Sequence, residues 1–189
     1  MKEGFLYVLM GPMCAGKTSE LIHHIRVLEK KNIKTKVYKH SNDTRYDDGT
    51  ELCSHDQMRE PCTSISLATE IDNIDEYQVI VIEEGQFFGK EILDVVENLV
   101  NVQKKYVIVG GLSGNASMKP MGYMNDMISM ADEVKLLTAL CHYCDDCVKA
   151  PFTVKISGTN SEVEVGTDMY KPVCRYHFLE HYGDIKQNL

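Results

Sequence analysis

Phe5-Leu6-Tyr7-Val8-Leu9-Met10 runs straight into Gly11-Pro12-Met13-Cys14-Ala15-Gly16-Lys17-Thr18, and beyond Lys17 the residues Leu21, Ile22, Ile25 and Leu28 recur at spacings of three and four. The first stretch is an apolar run of buried-strand length, and the last is the one-sided pattern of an amphipathic helix. The octet between them satisfies G-x-x-x-x-G-K-[ST] in the strand-to-helix setting that gives the pattern its meaning. Glycines let such a loop wrap so that backbone N–H groups face phosphate oxygens, and the helix start adds its positive end. Lys17 would neutralise the β- and γ-phosphates of ATP, and Thr18 would offer its hydroxyl to Mg²⁺.

Outward from this loop the rhythm continues. Thr35–Tyr38 reads as a second strand, Tyr77–Ile82 as a strongly β-branched one, and Tyr106–Val109 as a fourth ending at Gly110 and Gly111. A helix over 90–103 would bury Ile92, Leu93, Val96, Leu99 and Val100, and the polar stretch 41–63 reads as a loop or flap. Strands alternating with helices imply an α/β fold with a mainly parallel sheet, whose ligands gather at the carboxyl ends of the strands. After Cys141 the pattern changes to two short strands, Phe152–Ile156 and Glu162–Val165, flanked by cysteines. We place a boundary near residue 140, giving units 1–140 and 141–189.

With 43% hydrophobic and 25% charged residues, the chain can bury an ordinary core. A formal charge of −8, from 28 acids against 20 bases, argues against a surface for polymeric nucleic acid or an anionic membrane. No run approaches the ~20 apolar residues of a membrane span, and the N-terminus lacks a secretory pattern, so a cytoplasmic protein is expected.

The third strand ends in Glu83-Glu84-Gly85-Gln86-Phe87-Phe88. An acid at a strand end beside a phosphate loop is where magnesium is held, so one of the pair Glu83 and Glu84 could face the metal. Adjacent acids point in different directions, so the other could act as general base toward a substrate hydroxyl. Cys141-x-x-Cys144 and Cys174-x-x-His177 supply two ligand pairs, and three thiolates with one imidazole make a closed tetrahedral zinc set. Cys144-x-x-Cys147 and His142 offer a competing register. Met118, Met121, Met124, Met127 and Met130 recur every three residues, the mark of soft core packing on a helix.

These residues together resemble the zinc-containing thymidine kinase family. The resemblance runs from Gly11 to Arg175. It rests on the phosphate loop, Asp43-Thr44-Arg45-Tyr46, His55-Asp56, Glu84-Gly85-Gln86-Phe87-Phe88, Lys119-Pro120, Cys141-x-x-Cys144, Val163-Glu164-Val165, Tyr170 and Val173-Cys174-Arg175. It implies a RecA-like domain with a zinc-anchored lasso, a homotetramer, and transfer of the γ-phosphoryl of ATP to the 5′-hydroxyl of thymidine, with deoxyuridine as a further acceptor. Glu84 matches the family's catalytic base. Gly11 to Thr18, Asp43, Thr44, Arg45, Glu83, Gly85 and Gln86 match nucleotide-contacting positions. Met13, Phe87, Leu112, Thr153 and Tyr170 match the thymine pocket, and Val163, Glu164, Val165 and Gly166 match the lasso stretch that holds the base through its backbone. This chain carries Glu83 where the family has Asp, Ala116 and Met121 where aromatics are usual, and His177 where some relatives have cysteine. The alternatives from the motifs alone are a P-loop ATPase that couples hydrolysis to a conformational change, and a zinc-stabilised interaction module.

Overall fold

The strand β1 (Phe5–Gly11) sits inside a six-stranded sheet of a computed structural model that describes residues 3–43, 50–157 and 169–187. The chain continues through α1 (Lys17–Glu29), β2 (Thr35–His40), β3 (Glu51–Cys53), β4 (Arg59–Pro61), β5 (Thr63–Ile65), β6 (Val79–Glu83) and α2 (Glu91–Glu97). Then come β7 (Tyr106–Leu112), β8 (Glu133–Leu136), β9 (Ala139–Leu140), β10 (Lys149–Ala150), β11 (Phe152–Lys155), β12 (Tyr170–Val173) and α3 (Arg175–Gln187).

The sheet order is β5-β2-β6-β7-β1-β8, and every pairing in it is parallel. Such strands are apolar on both faces because helices cover both. Leu6, Val8, Met10, Ile80, Ile82, Val107 and Val109 pack toward α2 with Met124 and Met127. Tyr7, Leu9, Val79, Val81 and Ile108 pack toward Leu21, Ile22 and Ile25 of α1. From β1 the chain crosses to β2 on one side, whereas from β7 it passes β1 to reach β8 on the other. The crevice beyond β1 is therefore the topological switch point. With all strands parallel, Gly11, His40, Glu83 and Leu112 finish at the same edge.

The four central strands follow the sequence reading; the edge strands β5 and β8 do not announce themselves. They are short, and β8 is mostly exposed, so no apolar run marks it. The stretch 41–63 is not all loop, since it carries the antiparallel hairpin β3–β4, with Leu52 buried against the α1 face. The helix expected over 90–103 forms as α2 followed by a π-helical turn, Asn98–Val102, which keeps Ile92, Val96 and Leu99 inward. The methionine stripe is not one helical face. Only Met127 lies in the 3₁₀ turn Asp126–Ser129; Met124 and Met127 are buried in the core while Met118 is exposed. Strand β11 pairs with β12; the expected partner 162–165 lies outside the described residues. Among the described residues no helix is long and apolar enough to cross a membrane.

Candidate functional site

The octet between β1 and α1 places two residues in the left-handed region, Cys14 at φ 60° and Gly16 at φ 80°. Glycine takes that conformation without a Cβ penalty, so the loop can turn directly into the helix at Lys17. Lys17 is buried and its Nζ donates to the Pro12 carbonyl at 2.8 Å, across the mouth of the loop. Thr18 Oγ1 donates to Glu83 Oε1 at 2.7 Å.

That bond spans a strand, because β7 lies between β1 and β6. Gly110 on β7 makes room for it: a Cβ there would run into Glu83 Oε2 and approach Leu21 Cδ1 to 2.7 Å. Gly110→Ala should destabilise the fold by about 1–3 kcal/mol through overpacking. It should also break the Thr18–Glu83 bond by displacing Glu83. Thermal melting and a crystal structure of the variant check both parts.

Glu83 and Glu84 are both buried, at 1% and 5% exposure, and diverge as adjacent acids at a strand end must. Glu84 has φ 58° and ψ 41°, a left-handed backbone for a non-glycine residue that holds its side chain out of strand register. Gln86 Nε2 donates to Glu84 Oε2, while Gln86 Oε1 accepts the Leu112 N–H at 2.9 Å. One buried amide thus ties the Glu84 carboxylate to the end of β7. Above β1, the Met13 N–H donates to Thr153 Oγ1 at 3.1 Å, joining the loop to β11, and Ser113 N donates to the Gly11 carbonyl at 3.2 Å.

Cys141, Cys144, Cys174 and His177 form the second constellation, their ligand atoms all within 4.8 Å of one another. His177 Nδ1 lies 3.4, 3.5 and 3.4 Å from the sulfurs of Cys141, Cys144 and Cys174, and the Cys144 and Cys174 sulfurs are 3.9 Å apart. A tetrahedral zinc with Zn–S of about 2.3 Å and Zn–N of about 2.05 Å sets S···N near ~3.6 Å and S···S near ~3.8 Å. The donor set fits zinc. Nδ1 is the inward nitrogen, and Nε2 faces outward, 4.0 Å from Glu180 Oε2. Burial opposes ionisation of Cys141, but backbone N–H groups of Cys174 and Tyr143 together with the Cys144 and His177 side chains outweigh it and bring its pKa down to about 6. Burial and the neighbouring sulfurs push Cys144 the other way, to about 12. A cation is what would let all three thiols ionise together. Cys147 is exposed and His142 lies outside the group, so the competing register is not the one formed.

The structure brings together Gly11 to Thr18, Glu83, Gly85, Gln86, Leu112 and Thr153. Asp43 is buried just beyond β2, its N–H donating to the His40 carbonyl at 2.9 Å, and Phe87 packs against the His40 ring. Ala116 sits half-buried in a turn organised by the Asn115 side chain, which accepts from the Ser117 and Lys119 amides. Tyr170 is buried on β12, within the cysteine-bearing unit. Thr44, Arg45, Val163, Glu164, Val165 and Gly166 lie outside the described residues. Sequence reasoning missed His40; a lone histidine ending a strand carries no spacing signal. It also missed the bridging bonds of Gln86, which only the fold reveals.

The thymidine kinase family model matches residues 4–178. The thymidine kinase of Variola virus is 36% identical over 183 residues, covering 95% of this chain and 99% of that protein. Thymidine kinases of Vaccinia virus, at 35% over 183 residues, and Raccoon poxvirus, at 36% over 182, match over the same shares of the two chains. A relation that spans nearly the whole of both chains, with the phosphate loop, the acidic turn and the cysteine cluster in place, makes this protein a member of the thymidine kinase family.

Proposed function

We propose that this chain transfers the γ-phosphoryl group of ATP to the 5′-hydroxyl of thymidine, with deoxyuridine as a further acceptor. The observation that carries the reading is the meeting of the Lys17 loop with the Glu83–Glu84 turn through the Thr18–Glu83 bond, at the sheet's switch point. Two tasks are needed there: holding a triphosphate and taking a proton. The loop amides and Lys17 suit the first, since Lys17 can exchange the Pro12 carbonyl for phosphate oxygens. Glu84 suits the second. Its carboxylate accepts the 5′-hydroxyl proton as the new O–P bond forms and the bond from γ-phosphorus to the β,γ-bridging oxygen breaks.

Thr18 Oγ1 and the Glu83 carboxylate are the oxygen donors that suit Mg²⁺, which when bound neutralises phosphate charge. Glu83 is one methylene longer than aspartate, and the space over Gly110 accommodates that length. Met13, Phe87, Leu112, Ala116, Thr153 and Tyr170, with the segment 163–166, form the nucleoside side of the site in this reading. Cys141, Cys144, Cys174 and His177 hold a structural zinc, closed to substrate, that fixes residues 141–189 over residues 1–140. The family resemblance supports a cytoplasmic homotetramer.

ATP consumption measured with and without thymidine, with analysis for thymidine monophosphate, tests the reading. Product formed one for one with ATP used, and little turnover without thymidine, is the expected result. ATP hydrolysis indifferent to thymidine would replace the reading with that of an uncoupled ATPase.

A further inference from the structure

His40 ends β2 at the same sheet edge as Glu83, and only 6% of it is exposed. Its ring is held on two sides. Phe87 and Phe88 lie against it with centroids 5.7 and 4.7 Å away, tilted by 51° and 76°. Toward the following turn, Nδ1 accepts the Asn42 N–H at 3.0 Å. That is the bond from residue i to the amide of i+2 that an Asx-turn makes, with an imidazole nitrogen in place of an amide oxygen. The same turn is fixed by Ser41 N–H to the Ile65 carbonyl at 2.8 Å and by Asp43 N–H to the His40 carbonyl at 2.9 Å.

We propose that His40 is a positioning residue with two separable duties: its ring sets Phe87 on the nucleoside side, and its Nδ1 lone pair sets the Asn42–Asp43 turn on the ATP side. The assignment rests on the thymidine kinase reading of the site. The second duty requires the neutral tautomer with its proton on Nε2. Burial supplies that preference: it lowers the ring's pKa, against a backbone hydrogen bond with Ser66 and the charges of Glu91 and Glu70. No motif points to this residue, because its value lies in what its ring and nitrogen touch after folding.

Two substitutions separate the duties. His40→Asn keeps an acceptor where Nδ1 stands and deletes the ring; His40→Phe keeps a ring and deletes the acceptor. With loss of one buried contact in each, we expect His40→Asn to raise the KM for thymidine about 10-fold and leave that for ATP within about two-fold. His40→Phe should raise the KM for ATP by about 3–10-fold and leave that for thymidine within about two-fold. In both, kcat should stay within about three-fold of wild type. Each variant predicts its own split, so one soluble variant suffices. Both constants rising together, or neither moving, overturns the assignment as a general packing role or none. A wild-type protein that makes no thymidine monophosphate overturns the kinase reading instead, and is recognised before any variant is compared.

Discussion

Glu84→Gln should lower kcat by about 10²–10⁴-fold while leaving the affinities for ATP and thymidine close to wild type. The substitution is nearly isosteric, so the buried pocket around residue 84 need not repack. Gln86 Nε2 can still donate to the remaining side-chain oxygen, and the bond from Leu112 N–H to Gln86 Oε1 is untouched. What disappears is the carboxylate that takes the hydroxyl proton in the proposed reading. Loss confined to the chemical step lowers kcat and kcat/KM together, which separates this role from a binding role. The left-handed backbone at Glu84 strengthens the expectation, because strain of about 1–3 kcal/mol persists only where the surroundings over-determine it. Steady-state kinetics with isothermal binding of both substrates makes the comparison. Near-normal turnover would remove Glu84 from the chemistry.

The second large effect concerns the cysteine cluster. Purified protein never exposed to chelator should contain close to one zinc per chain, and Cys174→Ser should lose it. The buried cluster around it is small: Ala139, Cys141, Ala150, Val154, Val173, Cys174 and Phe178, of which two belong to the candidate ligand set. A core of that size cannot hold residues 139–178 alone, whereas structural zinc contributes about 10–16 kcal/mol of binding free energy that becomes folding energy. Loss of the ion should therefore melt this unit ahead of the sheet. Thr153 would no longer accept the Met13 N–H, and Ala15 of the Lys17 loop would lose its packing against the cluster, so activity should fall too. Metal analysis, a thermal melt followed by tyrosine signals and a kinetic assay read the three consequences. Full activity and an unchanged melt in a zinc-free Cys174→Ser protein would contradict the account.

The parts of the fold written in hydrophobic runs were legible: β1, β6 and β7 are central, buried, and announce themselves by Val, Ile and Leu, whereas the mixed β2 offered only the short stretch Thr35–Tyr38. The parts held by tertiary context were not. Strand β8 is a strand because β1 offers it an edge, with Asp132 N–H on the Leu6 carbonyl and Asp132 Oδ2 on the Leu6 N–H, not because Glu133–Leu136 reads as one. The methionine spacing suggested a helix because a period of three is close to 3.6; the chain instead runs through turns, with a single 3₁₀ turn at Asp126–Ser129. For the site, the phosphate loop and the cysteine pairs were legible because each needs fixed spacing along the chain. Gln86 as a bridge, Gly110 as clearance and His40 as a two-sided support depend on atoms far apart in sequence, and no local pattern encodes them.

The central claim is that the Glu84 carboxylate and the loop around Lys17 face one another across a single crevice that admits a nucleoside and a triphosphate. A crystal structure of the protein with thymidine, magnesium and a non-hydrolysable ATP analogue measures this directly. We expect a Glu84 carboxylate oxygen within about 2.6–3.2 Å of the thymidine 5′-oxygen, with that oxygen in line with the γ-phosphorus. Thymidine bound with its 5′-oxygen well beyond hydrogen-bond reach of Glu84, or phosphates seated away from the Lys17 loop, would contradict the account.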